Sequence, residues 1–173
     1  MNMFYGKKGS FLAVEPDPRN LKRINERNLP ILYPFIDFNL VEGAISFESG
    51  ENKLYLSDGT HKPSGNQMTG ANSIRKPKDV LKIDWINFDK VIDVKTYTLD
   101  DIILFYYYEN KKIDFIWCDI QGAEYDMIQG AKKSIDNIGL MLLEYSVEEL
   151  YEGQKGINDI MQLLGSDWEI VFK

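Results

Sequence analysis

Cysteine and histidine are nearly absent from this chain of 173 residues, which has one of each. Cys118 therefore has no partner for an internal disulfide, and a zinc site built from several thiolates is excluded. A site that needs two imidazole groups is excluded as well, because His61 is the single histidine. We name no metal-binding residues, whether a metal assists stays open, and the lack of disulfides favours a reducing, cytoplasmic location.

Long apolar runs and an excess of positive charge are also lacking. No segment approaches the roughly 18–20 apolar residues that a membrane span requires, and residues 1–12 do not resemble a signal peptide. With 20 basic and 27 acidic side chains, the net charge is 20 − 27 = −7, which disfavours nucleic acid and anionic membranes as partners. We therefore expect a soluble protein with no nucleic-acid or membrane partner.

The composition that remains is that of a folded protein. Hydrophobic residues make up 44% of the chain and charged residues 27%, values typical of globular domains and not of disordered segments. The length suits one domain of roughly 100–200 residues, and no repeat or linker divides the sequence. We predict a single domain over residues 1–173.

The first predicted unit is a strand, an acidic turn and a helix. An apolar run over 11–14 stops at Glu15. Asp17 followed by Pro18 is typical of a helix N-cap and of the first helical position. Pro30 prevents this helix from continuing.

The rest of the chain alternates strands with helices. Apolar runs predict strands within 31–44, 53–57, 91–97, 114–120, 140–143 and 168–172, and helical spacing predicts helices over 98–106, 124–137 and 157–164. The strand at 53–57 is interpreted as a hairpin partner across 48–52. Such alternation indicates an α/β fold with a mostly parallel sheet and helices on both faces. The polar segment 58–73 could be a lid or binding loop, or simply mobile.

Three of the predicted strands end in an acid, at Glu15, Asp119 and Glu144. Ligands bind outside the carboxyl ends of the strands in open α/β sheets. Glu15 could accept hydrogen bonds from the vicinal hydroxyls of a ribose, or it could simply favour the helix N-terminus that follows. Asp119 could orient a hydroxyl, take its proton or help to hold a cation, or it could cap a helix that starts near Gln121. Glu144 could lie beside Asp119 or face water.

Other candidate groups are weaker. Cys118 lies in an apolar strand and is expected to be a small buried hydrophobe instead of a nucleophile. His61 could be a general base or a solvated loop residue. The aromatic run 106–108 is expected to pack. Neither a Walker loop nor the G-x-G-x-x-G fingerprint occurs, which disfavours a nicotinamide-dependent enzyme.

Several segments together resemble the FkbM family of S-adenosylmethionine-dependent methyltransferases. The likeness runs from about Leu12 to Gly165 and is carried by 14–18, 98–101, 119–124, 130–131, 144–146 and 150–154. It implies a Rossmann-like class I methyltransferase domain that transfers a methyl group from S-adenosyl-L-methionine. The acceptor implied is a hydroxyl of a sugar, glycan or small natural product.

The resemblance also implies roles for particular residues. By this analogy Glu15 holds the ribose hydroxyls of the cofactor, and the segment Ala44, Ile45 and Ser46 passes the adenine. Asp119 and Gln121 would lie between cofactor and acceptor, with Glu144 nearby. The family commonly has Glu at the position of Gln121 and often Lys at that of Cys118.

The start of the chain departs from the family pattern. The family's first strand and glycine-rich loop should precede the strand that ends at Glu15, whereas residues 1–10 resemble only the end of the helix that follows that loop. We therefore expect an N-terminally truncated domain, whose free strand edge could favour a homo-oligomer. A non-catalytic methyltransferase-like binding domain is the alternative to an active enzyme.

Overall fold

Strands and helices alternate along the part of the chain that the structure describes. The computed structural model describes residues 9–60, 65–81, 86–107 and 112–171. Its strands are β1 (Gly9–Glu15), β2 (Ile36–Glu42), β3 (Ala44–Ile45), β4 (Gly50–Asp58), β5 (Asn87–Tyr97), β6 (Ile116–Cys118) and β7 (Met141–Leu143). Its α-helices are α1 (Pro18–Glu26), α2 (Leu29–Leu32), α3 (Leu99–Tyr107), α4 (Glu124–Gln129) and α5 (Ile157–Leu164). Short 3-10 helices cover Asp79–Leu81 and Ile135–Asn137.

The N-terminal strand, turn and helix form as the sequence predicts. β1 ends at Glu15, and the Asp17 side chain caps α1 by accepting a hydrogen bond from the Arg19 backbone N–H at 2.8 Å. α1 ends at Glu26. Pro30 lies in the first turn of α2, where its missing N–H removes no helical hydrogen bond.

The strands form three small sheets instead of one mostly parallel sheet. β1 pairs in parallel with β2, and β6 pairs in parallel with β7. In the third sheet the order is β3-β5-β4, with β3 parallel and β4 antiparallel to β5. The α/β class is confirmed, but the prediction of a continuous, mostly parallel sheet is not met in the described residues. The described part of the β4–β5 connection holds no α-helical crossover of the kind that joins parallel strands, and these two strands run antiparallel.

The pairing of β4 corrects the hairpin interpretation. β4 begins at Gly50, inside the segment expected to be a turn, and pairs with β5 from Gly50 opposite Thr96 to Asp58 opposite Asn87. Its partner therefore lies almost thirty residues further along the chain. Alternation within a strand fixes which face is buried but does not identify the partner strand.

Thr98 caps the start of α3, with Ser49 as an additional member of the cap. The Thr98 hydroxyl accepts a hydrogen bond from the Asp101 backbone N–H at 3.0 Å. Ser49 Oγ donates to the Asp101 carboxylate and accepts from the Thr98 backbone N–H at 3.0 Å. The start of α3 is thereby tied to the segment that follows β3.

The helix predicted over 124–137 is shorter than expected. α4 stops at Gln129, and the Asp100 carboxylate accepts hydrogen bonds from the backbone N–H groups of Lys133 and Ser134. These two donors are therefore not available for a continuing α-helical ladder.

The strand predicted over 168–172 does not form in residues 168–171, and Phe172 lies outside the described residues. Trp168 packs against the core instead, while Ile170 and Val171 are exposed. α5, by contrast, ends at Leu164 with Gly165 as its C-cap, as predicted.

A cluster of buried side chains joins strands and helices from most of the described chain. It includes Val41, Ile45, Leu99, Ile102, Ile103, Cys118, Met127, Ile128, Ala131, Ile138 and Ile160. Tyr106 packs against this cluster as predicted, and Tyr108 lies outside the described residues. None of the helices described is long and apolar enough to cross a bilayer. The single domain over 1–173 stays a prediction.

Candidate active site

A cleft of about 250 Å³ opens at the carboxyl ends of β1 and β6, where the sequence predicts ligand binding. Its lining residues are Val14, Glu15, Pro16, Asn20, Gly43, Ala44, Ile45, Leu54, Thr69, Gly70, Asn72, Ser73, Ile74, Asp119, Ile120, Gln121 and Ala123. Five of the seven predicted site residues therefore line one cleft, and these are Glu15, Ala44, Ile45, Asp119 and Gln121.

Glu15 is a half-buried acid held by the backbone at the end of β1. Its Oε1 accepts a hydrogen bond from the Asp17 backbone N–H at 2.8 Å. Burial is the main reason that the pKa of Glu15 is raised above its usual value, and the bond from Asp17 acts in the opposite direction. The side-chain cap of α1 is Asp17, so Glu15 is not needed for that role.

The ion pair of Asp17 with Arg19 connects the start of α1 to the loop around Asn72, which lines another part of the cleft. Asp17 is fully buried and accepts hydrogen bonds from the Arg19 guanidinium and from the Asn72 amide, both at 2.7 Å. Arg19 also donates to the Ser57 carbonyl oxygen at 2.9 Å, and Asn72 Oδ1 accepts from the Ser57 backbone N–H at 2.8 Å. We name these four residues the Asp17 clasp.

Burial alone would raise the pKa of Asp17, but the hydrogen bonds from Arg19 and Asn72 outweigh it and hold this pKa below its usual value. The acid is therefore ionised at neutral pH. Because Asn72 itself lines the cleft, the Asp17 clasp fixes one wall of the cleft relative to the end of β1.

The three residues predicted to pass an adenine are placed differently from one another. Ala44 and Ile45 are buried and line the cleft. Ser46 is buried as well, but it is absent from the lining, and its backbone N–H donates to the Tyr97 carbonyl oxygen at 2.9 Å. A Cβ added at Gly130 would lie 2.5 Å from the Ser46 carbonyl oxygen. Ser46 thus contacts β5 and the end of α4 and does not line the cleft.

The three predicted catalytic residues are joined by one amide. Gln121 Nε2 donates to Asp119 Oδ1 and, at 2.9 Å, to Glu144 Oε2. Glu144 follows β7, and its backbone N–H donates to the Cys118 carbonyl oxygen at 3.0 Å. Asp119 and Gln121 line the cleft, whereas Glu144 reaches it through Gln121. We name Asp119, Gln121 and Glu144 the acid–amide cluster.

Asp119 raises the pKa of its neighbour Glu144. The hydrogen bond between Glu144 and Asp119 is the largest cause that raises the pKa of Glu144 to about 7, followed by burial and by the charge of Asp119. The bond from Gln121 lowers this pKa. Glu144 therefore gains and loses its proton near neutral pH, beside the Asp119 carboxylate.

Asp119 does not cap the following helix, and that alternative is wrong. α4 begins at Glu124, whose Oε1 accepts hydrogen bonds from the backbone N–H groups of Ile120 at 3.1 Å and Gly122 at 3.3 Å. Glu124 is buried, and burial raises its pKa above the usual value. Because Glu124 takes these backbone donors, the exposed Asp119 carboxylate is left at the cleft.

Cys118 and His61 have different outcomes. Cys118 is buried, and burial raises the pKa of its thiol well above the usual value, which agrees with a small hydrophobe and not a nucleophile. His61 lies outside the described residues. Among the residues that are described, no three acids, cysteines or histidines are grouped as metal ligands would be.

Sequence reasoning misses several polar residues of the cleft. Asn20 and Thr69 both line it, and the Thr69 hydroxyl donates to Asn20 Oδ1 at 3.0 Å. The length of the polar segment 58–73 is the signal that points to Thr69 and Asn72, since it predicts a binding loop. No local pattern marks Asn20, which enters the site because the loop folds back onto α1.

The fold and the cleft define an α/β protein with an acid-lined cleft at the carboxyl ends of parallel strands. The family model for the methyltransferase FkbM domain matches residues 1–170, and the chain belongs to this family. The resemblance found in the sequence is therefore confirmed.

A curated relative carries the comparison further. The chain is 38% identical over 160 residues to the 2-O-methyltransferase NoeI of Sinorhizobium fredii (strain NBRC 101917 / NGR234). The match covers 92% of this chain and 63% of that protein, so the chain spans less than two thirds of the relative's length. No solved structure matches the chain.

Proposed function

We propose that this chain is an S-adenosylmethionine-dependent O-methyltransferase with a Rossmann-like, class I arrangement, acting on a hydroxyl of a sugar, glycan or small natural product. Its family and its similarity to a 2-O-methyltransferase support the reaction type. The observation that carries the proposed site is a single cleft lined by both Glu15 and Asp119. The acceptor, a homo-oligomeric state and a cytoplasmic location stay predictions.

The cleft residues fit the cofactor. The half-buried Glu15 carboxylate suits the vicinal hydroxyls of a ribose, as the acid of nucleotide-binding folds does. Ala44 and Ile45 supply buried apolar surface for a flat adenine ring. S-Adenosylmethionine, when bound, supplies a methyl group whose carbon–sulfur bond breaks as the acceptor oxygen bonds to carbon, with the electron pair left on sulfur.

The acid–amide cluster is proposed to hold the acceptor hydroxyl and to take its proton. Asp119 is exposed at the cleft, and its carboxylate can accept the hydroxyl hydrogen. Glu144, whose pKa is raised to about 7, lies beside it on the same amide and can hold the released proton at neutral pH. Gln121 orients both acids through its two N–H bonds. Positioning of this kind supplies much of the rate enhancement.

Transfer of a radiolabelled methyl group tests this proposal. The chain is incubated with methyl-labelled S-adenosylmethionine and a panel of mono- and oligosaccharides and small hydroxylated natural products. Label is expected on a hydroxyl oxygen of an acceptor. Asp119→Asn should slow transfer by about 10²–10⁴-fold, the usual contribution of a general base.

Asp114→Asn is the matched control, because Asp114 is an exposed acid before β6 and does not line the cleft. Its transfer rate should equal that of the unmodified chain. A transfer rate unchanged by Asp119→Asn contradicts the role of Asp119, and a label found on nitrogen or carbon contradicts the reaction type.

A further inference from the structure

Tyr151 is a buried tyrosine whose hydroxyl reaches the acid–amide cluster. Only 1% of its surface is exposed. Its Oη lies 2.8 Å from Gln121 Oε1 and 3.0 Å from the Ala71 carbonyl oxygen. The roles proposed above for the cleft do not include this residue.

Counting protons fixes the directions of these hydrogen bonds. The Gln121 amide has two N–H bonds, and Asp119 and Glu144 accept both. The Gln121 Oε1 atom can only accept, so the Tyr151 hydroxyl is its donor, and the single hydroxyl proton is divided between Oε1 at 2.8 Å and the Ala71 carbonyl oxygen at 3.0 Å. If the amide were reversed, its oxygen would face the two acids and repel whichever one is ionised.

The tyrosine ring is held close to the turn that carries Gln121. Gln121 has φ +53°, in the left-handed region, and Gly122 follows at φ +93°. A Cβ at position 122 would lie 3.1 Å from Tyr151 Cδ2, so the absence of a side chain there lets the ring approach. The Tyr151 backbone is also held, because its N–H donates to Gln154 Oε1 at 3.3 Å and Tyr151 forms an antiparallel bridge with Pro77.

We propose that Tyr151 is a positioning residue that orients the Gln121 amide toward Asp119 and Glu144. The inference rests on the proposed function of the acid–amide cluster. Tyr151 acts through Gln121, since its hydroxyl donates to the amide oxygen and the amide nitrogen donates to the acids. Without the tyrosine donor the amide can reverse, and the ionised acids then lose their N–H partners.

Carboxyl-carbon NMR of chain labelled at Asp and Glu tests this inference without acceptor or cofactor. Loss of an amide donor weakens the ionised form, so Tyr151→Phe should raise the titration midpoint of Glu144 by about one pH unit. In a Gln121→Leu background the same substitution should give no further shift, because the two residues act in series. Tyr33→Phe, which removes the hydroxyl of an exposed tyrosine remote in sequence, is the control and should leave the midpoint unchanged.

Two outcomes overturn the inference. One is no shift on Tyr151→Phe, and the other is an equal shift with and without the Gln121 amide, which would indicate a general structural effect. If Tyr151→Phe does not fold, a measurement on the unmodified chain still tests the inference. Its Gln121 side-chain N–H signals should be protected from exchange and should move as Glu144 titrates, whereas rapidly exchanging, insensitive signals would contradict the inference. These titrations do not depend on whether methyl transfer is observed.

Discussion

The two acidic sides of the cleft are held in opposite ways. On the side of Glu15, the Asp17 clasp joins a fully buried, ionised acid to an arginine, a backbone carbonyl group and an asparagine. On the side of Asp119, two exposed acids are bridged by a single amide, and the pKa of one of them, Glu144, is raised to about 7.

The two arrangements meet two different requirements of one site. A buried acid with charged and amide partners has a lowered pKa, so it keeps its charge and its geometry at neutral pH. An exposed acid whose pKa is about 7, as for Glu144, changes its proton content at neutral pH at little structural cost. The first arrangement suits recognition of a ligand of fixed shape, and the second suits transfer of a proton.

Asp17→Ala tests the rigid side most strongly. Removing one partner of a buried ion pair leaves the other without its counter-charge, and such changes cost about 3–5 kcal/mol. Because Arg19 stays partly exposed, we expect a loss of about 3 kcal/mol in the free energy of unfolding, measured by urea denaturation. Asp93→Ala is the control.

Asp93 forms an ion pair of 2.6 Å with Lys53, but both side chains are well exposed. Its loss should cost less than about 1 kcal/mol. Equal losses for Asp17→Ala and Asp93→Ala would show that the Asp17 clasp is not what makes this side rigid.

Gly130→Ala tests the contact between the two sides. Gly130 is the C-cap of α4, the helix that follows the Asp119 turn. It lies against the carbonyl oxygen of Ser46, the residue after the cleft residues Ala44 and Ile45. A methyl group there would lie 2.5 Å from that oxygen, so backbone must move. Overpacking of this kind costs about 1–3 kcal/mol, and thermal unfolding should report it.

Gly9→Ala is the comparison for Gly130→Ala, because a Cβ at position 9 has no atom within 4 Å. It should leave the melting temperature nearly unchanged. An unchanged melting temperature for Gly130→Ala would mean that the segments carrying Gly130 and Ser46 are not in tight contact.

The pH dependence of stability should distinguish the two sides by sign. The pKa of Glu144 is raised from 4.5 to about 7 in the folded state, so its contribution is present below pH 4.5 and is lost as the pH rises through 7. The pKa of Asp17 is lowered from 3.8, so its contribution is present above pH 3.8 and is lost as the pH falls through the lower folded value.

Glu144→Gln should therefore flatten the fall in unfolding free energy between pH 4.5 and 7, by about 1 kcal/mol after screening by solvent. Urea denaturation at a series of pH values measures this, with the exposed Glu148→Gln as the control. A slope that survives in Glu144→Gln would contradict the raised pKa of Glu144.

Local signals in the sequence predict the elements that frame the cleft. The cap at Asp17, the stop of β1 at Glu15 and the helix from Ile157 to Leu164 depend on neighbouring residues and form as predicted. Long-range pairing is not contained in those signals. The distant partner of β4 is decided by tertiary structure. The use of Glu124 in place of Asp119 as acceptor for the turn is a local contact that the residue pattern does not indicate.

The candidate site shows the same division between features that local signals predict and contacts that they do not. Acids at strand ends are visible in the sequence, and the fold brings Glu15 and Asp119 to one cleft. Asn72 and Tyr151 lie far from both along the chain, and no local pattern indicates that a loop amide will bind Asp17 or that a tyrosine will bind Gln121. These contacts exist because separate segments pack together.

Calorimetric titration with S-adenosylhomocysteine is the most direct test of the claim that this cleft binds an adenosyl cofactor through Glu15. We expect micromolar binding and, for Glu15→Gln, an affinity lower by about 10- to 100-fold, the value of a hydrogen bond to a charged group. Glu42→Gln is the matched control, since Glu42 ends β2 directly opposite Glu15 and does not line the cleft. No binding by a cooperatively folded chain, or equal loss in both variants, would contradict the account.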